Sequence, residues 1–393
     1  MTAITHLALV PRDGLFCKDG RGWHTSTLGR GHGLDWPWPS TVLGALRTAS
    51  GREVETRTGR RLDADGWRAH AGGVTLARTL VLRRPTDSAW SVDHRIWPAP
   101  ADARRLAGGD HLHRLDPVPP SVRTLGRDDD EAREALWVPL LPDKAKPLPE
   151  PRWWSEARLA AWLAGGAVRS HDPANAFEPR RRIQAHIEIR EATRTVKDEA
   201  LYSHDVVEAL ERSPEWTHGA EWALGVEVVL PGRAPAIASL GSDGRLARVE
   251  ALPAPVFEPP SSVIDAFERG SRGLRLVAVT PACFAGGWRP DGLERSGGEL
   301  RGRIPGLAPE LVLRAAMVPR PIHVSGWDLA TRRPKPAASM VPPGAVYFFE
   351  RADGGAFGSS EARALWLAAI GDRTAEGFGR VIPGVWNPTR SKP

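Results

Sequence analysis

Cysteine is almost absent: Cys17 and Cys283 are the only two in 393 residues, far apart and in no CxxC pattern. That scarcity argues against a disulfide framework and a zinc ribbon, and points to a reducing compartment. Long apolar runs are missing as well. Stretches such as Ala364–Ile370 fall far short of the roughly 18 residues that a membrane span needs. Met1–Val10 lacks the basic-then-apolar order of a secretory leader. A cytoplasmic, soluble protein with no membrane partner is expected.

Signatures of catalysis are equally scarce. The sequence holds no GxxxxGK[ST], no true GxGxxG and no GxSxG, which argues against a P-loop nucleotidase and a serine hydrolase. His111-Leu112-His113 with Asp116 resembles a dinuclear hydrolase motif, but Arg114 and Leu115 stand where an Asp-His pair is needed. The dipeptides His171-Asp172 and His204-Asp205 lack further ligands at helical spacing. With 12 histidines in the chain, ordinary loop and surface histidines are the economical explanation. No catalytic residue, metal or cofactor is expected.

What is present sets the size and class. The length of 393 residues exceeds the roughly 250–300 at which single cores stop growing, so two domains are expected. A hydrophobic content of 41% with 25% charged residues lies well away from the composition of disordered chains. The formal charge of +6 favours a polyanionic partner. Only six of the 53 basic residues are Lys; Arg suits phosphate contacts and base stacking, although a GC-rich coding sequence gives the same bias. Sixteen Trp are present, and Trp153, Trp154, Trp162 and Trp222 sit in apolar-patterned segments that suit a core.

The order of elements predicts an α+β fold. Ile4–Phe16 alternates like a strand, a helix capped by Ser40 or Thr41 is expected to end at Gly51, and 73–82 and 90–97 follow as strands. This β-α-β-β order is half of a ferredoxin-like, RRM-type unit. From about 98 to 180 the chain is rich in Pro and charge, with one helix over 155–163, and suits a loop-rich insertion in the first domain. Strands are expected over 183–190, 200–207, 222–230, 236–240, 274–280, 311–318 and 345–350, then a helix over 361–370 and a closing strand over 378–386. The division expected is 1–214 and 215–393.

Three segments suit nucleic acid. In the first loop Lys18, Arg21, Arg30 and His32 are interleaved with Phe16, Trp23 and Trp36, the mixture of charge and flat rings that single strands use; a solvated loop anchored by aromatics is the alternative. Arg180-Arg181-Arg182 precedes a strand as a phosphate patch or a solvated edge. Near the C-terminus, Arg373, Gly377, Phe378, Gly379 and Arg380 combine glycines, whose N–H groups can converge on an anion, with two cations. Glu376 stands where the RNP1 pattern has Lys or Arg, so backbone contact fits better there than stacking on Phe378.

Taken together, Pro11–Arg21, Trp38–Thr48, His186–Ile189, Ala200–Ser203, Thr280-Pro281-Ala282, Ser325–Asp328, Lys335-Pro336, Pro342–Phe348 and the closing Gly-Phe-Gly resemble the RAMP-superfamily subunit of type III-B (Cmr) CRISPR complexes. The resemblance spans both ends of the chain and is weak from about 98 to 180. It implies two ferredoxin-like (RRM-like) RAMP domains. It also implies a non-catalytic role gripping the 5′ handle of the crRNA, between the large polymerase-cyclase-like subunit and a backbone RAMP subunit. Carried over by position, Lys18, Arg21, Arg30 and Arg47 would lie by the RNA surface of the first domain, and Gly377, Phe378, Gly379 and Arg380 would form the glycine-rich loop of the second. Two other functions compete: a metal-independent RAMP endoribonuclease using His24 or His32, and a structural bridge with little RNA contact.

Overall fold

A computed structural model describes residues 3–19, 30–119, 136–139, 141, 146–212, 219–328 and 333–388. The chain forms two compact units of mostly antiparallel sheet with helices. One comprises residues 1–94, 179–254 and 323–338; the other comprises 95–178, 255–322 and 339–393. The expected division near residue 215, with 98–180 inserted in the first domain, differs from this one: residues 95–178 group with the second unit, and 179–254 with the first.

In the first unit, β1 (Ala3–Pro11) leads to α1 (Pro39–Thr58), α2 (Ala64–Gly72) and β2 (Thr75–Pro85). Later come β3 (Arg181–Ile189), β4 (Val196–Val207), β5 (Gly219–Leu230), β6 (Ile237–Ser239) and β7 (Leu246–Ala251). The main sheet runs β2-β5-β1-β7-β6, and every pair in it between β2 and β7 is antiparallel. Gly225 lets the Leu80, Leu82 and Leu252 side chains close over the middle of β5, where a Cβ would lie 2.9 Å from Leu80.

Helix α1 starts where the chain is prepared for it: Trp38 is extended and Pro39, already at a helical φ, takes the first position. Val42, Leu43, Ala45, Leu46 and Ala49 are buried along one face. Gly51, expected as the C-terminal cap, lies inside the helix, which ends instead at Gly59 with φ +65°. The Trp67 ring of α2 occupies the space where a Gly51 Cβ would be, 2.1 Å from its nearest carbon. Gly51 therefore serves close packing of α2 on α1.

In the second unit, α3 (Ser261–Glu268) precedes β8 (Gly273–Ala278), β9 (Leu311–Met317), β10 (Val346–Arg351), α4 (Ser359–Leu365) and β11 (Arg380–Trp386). The sheet order β9-β10-β8-β11 is antiparallel throughout. The run expected to stay helical to residue 370 stops at Leu365, because Leu367 takes a left-handed φ of +57°.

Residues 95–178 join this unit through buried side chains that a Pro-rich, charged sequence conceals. The buried Arg95 donates to Glu156 at 2.7 Å and to the carbonyls of Val256 and Glu258 at 3.2 and 2.6 Å, and Trp97 Nε1 donates to the same carboxylate at 2.6 Å. Asp102, fully buried, accepts from Arg275 of β8 at 2.8 Å and from Trp162 Nε1 at 3.0 Å. Trp154, Trp162 and, in the first unit, Trp222 are core residues as their patterning implied.

Candidate nucleic-acid interface

Strands β3 and β4 form a long antiparallel hairpin beside the main sheet of the first unit, with a register change between Ile187 and Ile189. Residues directly opposite across an antiparallel pair share a face, which gives the hairpin two different sides. One carries Ile183, Ala185 and Ile187 with Ser203 and Leu201; Ile183 and Leu201 are 61% and 66% exposed. The other carries Gln184, His186, Tyr202 and His204.

On that second side aromatic rings form a ladder. Phe16 stacks on His204 with centroids 4.0 Å apart, His186 stacks on Tyr202 at 4.9 Å, and the two imidazoles lie 4.7 Å apart. Burial, His186 and Arg245 together push the His204 imidazole below its ordinary pKa, against the opposing pull of Asp243.

The first loop is stitched to the base of this hairpin. Leu15 and Val207 exchange both backbone hydrogen bonds, at 2.7 and 2.8 Å, and Arg30-Gly31 pairs parallel to Ser203-His204. His32 Nδ1 sits 3.4 Å from Asp205, and Lys18 lies 3.7 Å from Asp19. Arg181 donates to the Gly33 carbonyl at 3.2 Å and to Asp35. Arg182 meets Asp13 at 3.4 Å, Gln184 at 3.2 Å and Glu208. The exposed Arg180 lends its backbone carbonyl to Glu208 N at 2.8 Å. The structure thus brings Lys18, His32 and Arg180–Arg182 into one region, with Arg181 and Arg182 held by carboxylates. Arg21, Trp23 and His24 lie outside the described residues, as does the Arg30 side chain.

Arg47 sits apart. Its guanidinium donates to the Val74 carbonyl from two nitrogens, at 3.3 and 3.4 Å, and ties α1 to the chain entering β2.

The glycine-rich loop of the second unit is folded against its own carbonyls and the core. Gly377 and Gly379 take φ of +94° and +71°, and a Cβ on Gly379 would lie 2.0 Å from the Ile370 carbonyl, so glycine is required there. Phe378 between them is fully buried, so its ring faces the core and is closed to an RNA base. Arg373 forms a two-point pair with Glu376 at 2.7 and 2.9 Å, above the Phe378 ring. Arg380 donates to the carbonyls of Leu367 at 3.4 Å and Thr374 at 3.0 Å. Both cations hold the loop closed.

Sequence reasoning missed the ring ladder and the apolar side of the hairpin. The available signal was alternation in both strands, but which side each residue joins depends on their pairing. Cys17 is buried, and desolvation pushes its thiol up to about 12. No helix among the described residues is long and apolar enough to cross a membrane.

Comparison with known proteins completes the picture. The family described as "CRISPR-associated protein (Cas_Cmr3)" matches residues 7–386. No curated protein matches the chain. Among solved structures, similarity is found to a chain of "Type III-B Cmr-beta bound to cognate target RNA and AMPPnP, state 1", at 12% identity over 87% of this chain and 86% of that one, with a TM-score of 0.43. A second Cmr-beta structure bound to cognate target RNA gives 12% identity, the same coverage and a TM-score of 0.41. The Csm3-Csm4 subcomplex of a type III-A interference complex gives 8% identity, 99% and 100% coverage and a TM-score of 0.29.

Proposed function

The chain belongs to the Cas_Cmr3 family of CRISPR-associated proteins and is a RAMP-type component of a type III-B Cmr interference complex; from that premise we propose that it is a non-catalytic subunit holding the 5′ handle of the crRNA. In this reading it also bridges the large polymerase-cyclase-like subunit to a backbone RAMP subunit. The observation that carries the RNA role is the convergence of Lys18, His32 and Arg180–Arg182 at the base of one exposed hairpin. Phe16 and His204 are buried, but Tyr202 at the outer end of the ladder is 40% exposed, and an exposed ring beside cations suits an unpaired strand, because rings take bases and cations take phosphates. The apolar side of the hairpin, with Ile183, Ile187 and Leu201, suits a protein neighbour.

We read both units as ferredoxin-like domains. Numbering the four central strands of each by sequence, both follow the order second, third, first, fourth, as a split βαβ sheet does. In each, one crossover carries strand in place of an α-helix: β6, paired to β7, in the first unit, and the hairpin of Leu293–Ser296 with Glu299–Gly302 in the second.

A gel-shift titration tests the function, using the chain alone and with its large-subunit partner against labelled crRNA carrying the native or a scrambled 5′ handle. Tighter binding of the native handle, without cleavage, is expected. With roughly five phosphate contacts the affinity should fall with salt at a log–log slope near −3.5, and Arg180→Ala should make it shallower by about 0.7. Cleaved product that disappears in His32→Ala would support the endoribonuclease instead. No shift at any salt would leave the bridging role alone.

A further inference from the structure

We propose that His186, His204 and Asp243 form a binding site for a divalent transition metal, with Zn²⁺ the fitting probe. The three residues come from three segments. His186 on β3 and His204 on β4 are diagonal neighbours on the same side of the hairpin, since Gln184 pairs with His204 and His186 with Tyr202. Asp243 lies in the turn Ser242–Gly244 between β6 and β7, at a left-handed φ of +60°. One ligand atom from each lies within 4.8 Å of the other two, and His204 Nδ1 is 3.9 Å from Asp243 Oδ2.

Two imidazoles and a carboxylate are a recognised donor set for Zn²⁺, with a water in the fourth position. Tetrahedral bonds of about 2.0–2.1 Å place donors about 3.3 Å apart, so side-chain rotations of about 1 Å close the site. His186 Nε2 is buried with no hydrogen-bond partner among the described residues, a cost that coordination removes. Its ring lies flat on Tyr202, with an interplanar angle of 4°, which restricts its rotation.

The surroundings suit a cation. Arg245, which donates to Gln184 on the same side of the hairpin at 2.7 Å, is paired with Asp13 at 2.8 Å and donates to the Gly14 carbonyl at 2.7 Å. A metal here would clamp the hairpin to the turn of the main sheet and fix its angle. This inference is independent of any RNA contact.

Tag-free, chelator-stripped full chain would be titrated with Zn²⁺ by calorimetry, and with Co²⁺ by visible absorption. One saturable equivalent and a tetrahedral cobalt spectrum are expected, weakening as pH falls through the imidazole range. His186→Gln and the more exposed Asp243→Asn should each weaken uptake by about tenfold or more; the second sits on the surface and leaves the core untouched. Absence of a one-equivalent event, or equal uptake in wild type and Asp243→Asn, would overturn the site.

Discussion

Replacing Asp102 by Ala tests how the second unit is held together. Asp102 and Arg275 are both almost fully buried, and the carboxylate accepts from Arg275 at 2.8 Å and from Trp162 Nε1 at 3.0 Å. Among the described residues, the substitution leaves the core guanidinium with the Trp162 carbonyl at 2.5 Å as its one remaining hydrogen-bond acceptor, and leaves the indole N–H without its carboxylate acceptor. Removing one member of a buried ion pair costs about 3–5 kcal/mol. For a unit of this size that lowers the melting temperature by about 6–20 °C. Urea and thermal unfolding of Asp102→Ala would be compared with Arg275→Met and the double variant. Taking out both charges removes the orphan, so the double variant should be more stable than Asp102→Ala alone. A loss below about 1 kcal/mol in Asp102→Ala, or strictly additive losses in the double variant, would refute the view that the pair is mutually dependent.

Two glycines of α1 should respond with opposite signs. Gly51→Ala drives a Cβ into the Trp67 ring and should cost about 1–3 kcal/mol, whereas Gly44, exposed with open space around it, should gain up to about 1 kcal/mol as Ala; denaturant midpoints decide both. His204 gives a pH dependence. Its folded-state pKa is lowered, chiefly by burial, so below about pH 6.5 the unfolded chain takes up the proton first and stability falls as pH drops. His204→Phe should flatten the melting temperature between about pH 7 and 5 relative to wild type, and an unchanged profile would remove His204 as the source.

Local pattern carried the strands well. The segments over 222–230, 311–318 and 345–350 lie within a few residues of β5, β9 and β10, because half-buried alternation and buried β-branched runs are local signals. Ends were poorer: α1 ran on to Thr58 because a tertiary contact, the Trp67 ring, explains Gly51. The segment from about 98 to 180 looked loop-like from its Pro and charge content, and only partners distant in sequence make the burial of a carboxylate such as Asp102 tolerable. α2 and α3 were not foreseen. At the site, clustering of the first loop with Arg180–Arg182 required knowing that Arg30-Gly31 pairs with β4. The glycine-rich loop was legible in its backbone, where Gly379 needs positive φ, but the inward direction of Phe378 and Arg380 follows from packing.

The hairpin also has a consequence for handling the protein. Among the described residues β3 is an outermost strand of its small sheet, so one row of its backbone amides and carbonyls has no neighbouring strand there, beside a side bearing Ile183 and Ile187. Such an edge is a template for strand addition by another copy, and native proteins normally blunt or cover it. Expressed without its neighbours, the chain should therefore self-associate in a concentration-dependent way through β3. Lys at position 183 or 187 would act as a gatekeeper that restores monomers while leaving the first-unit sheet intact.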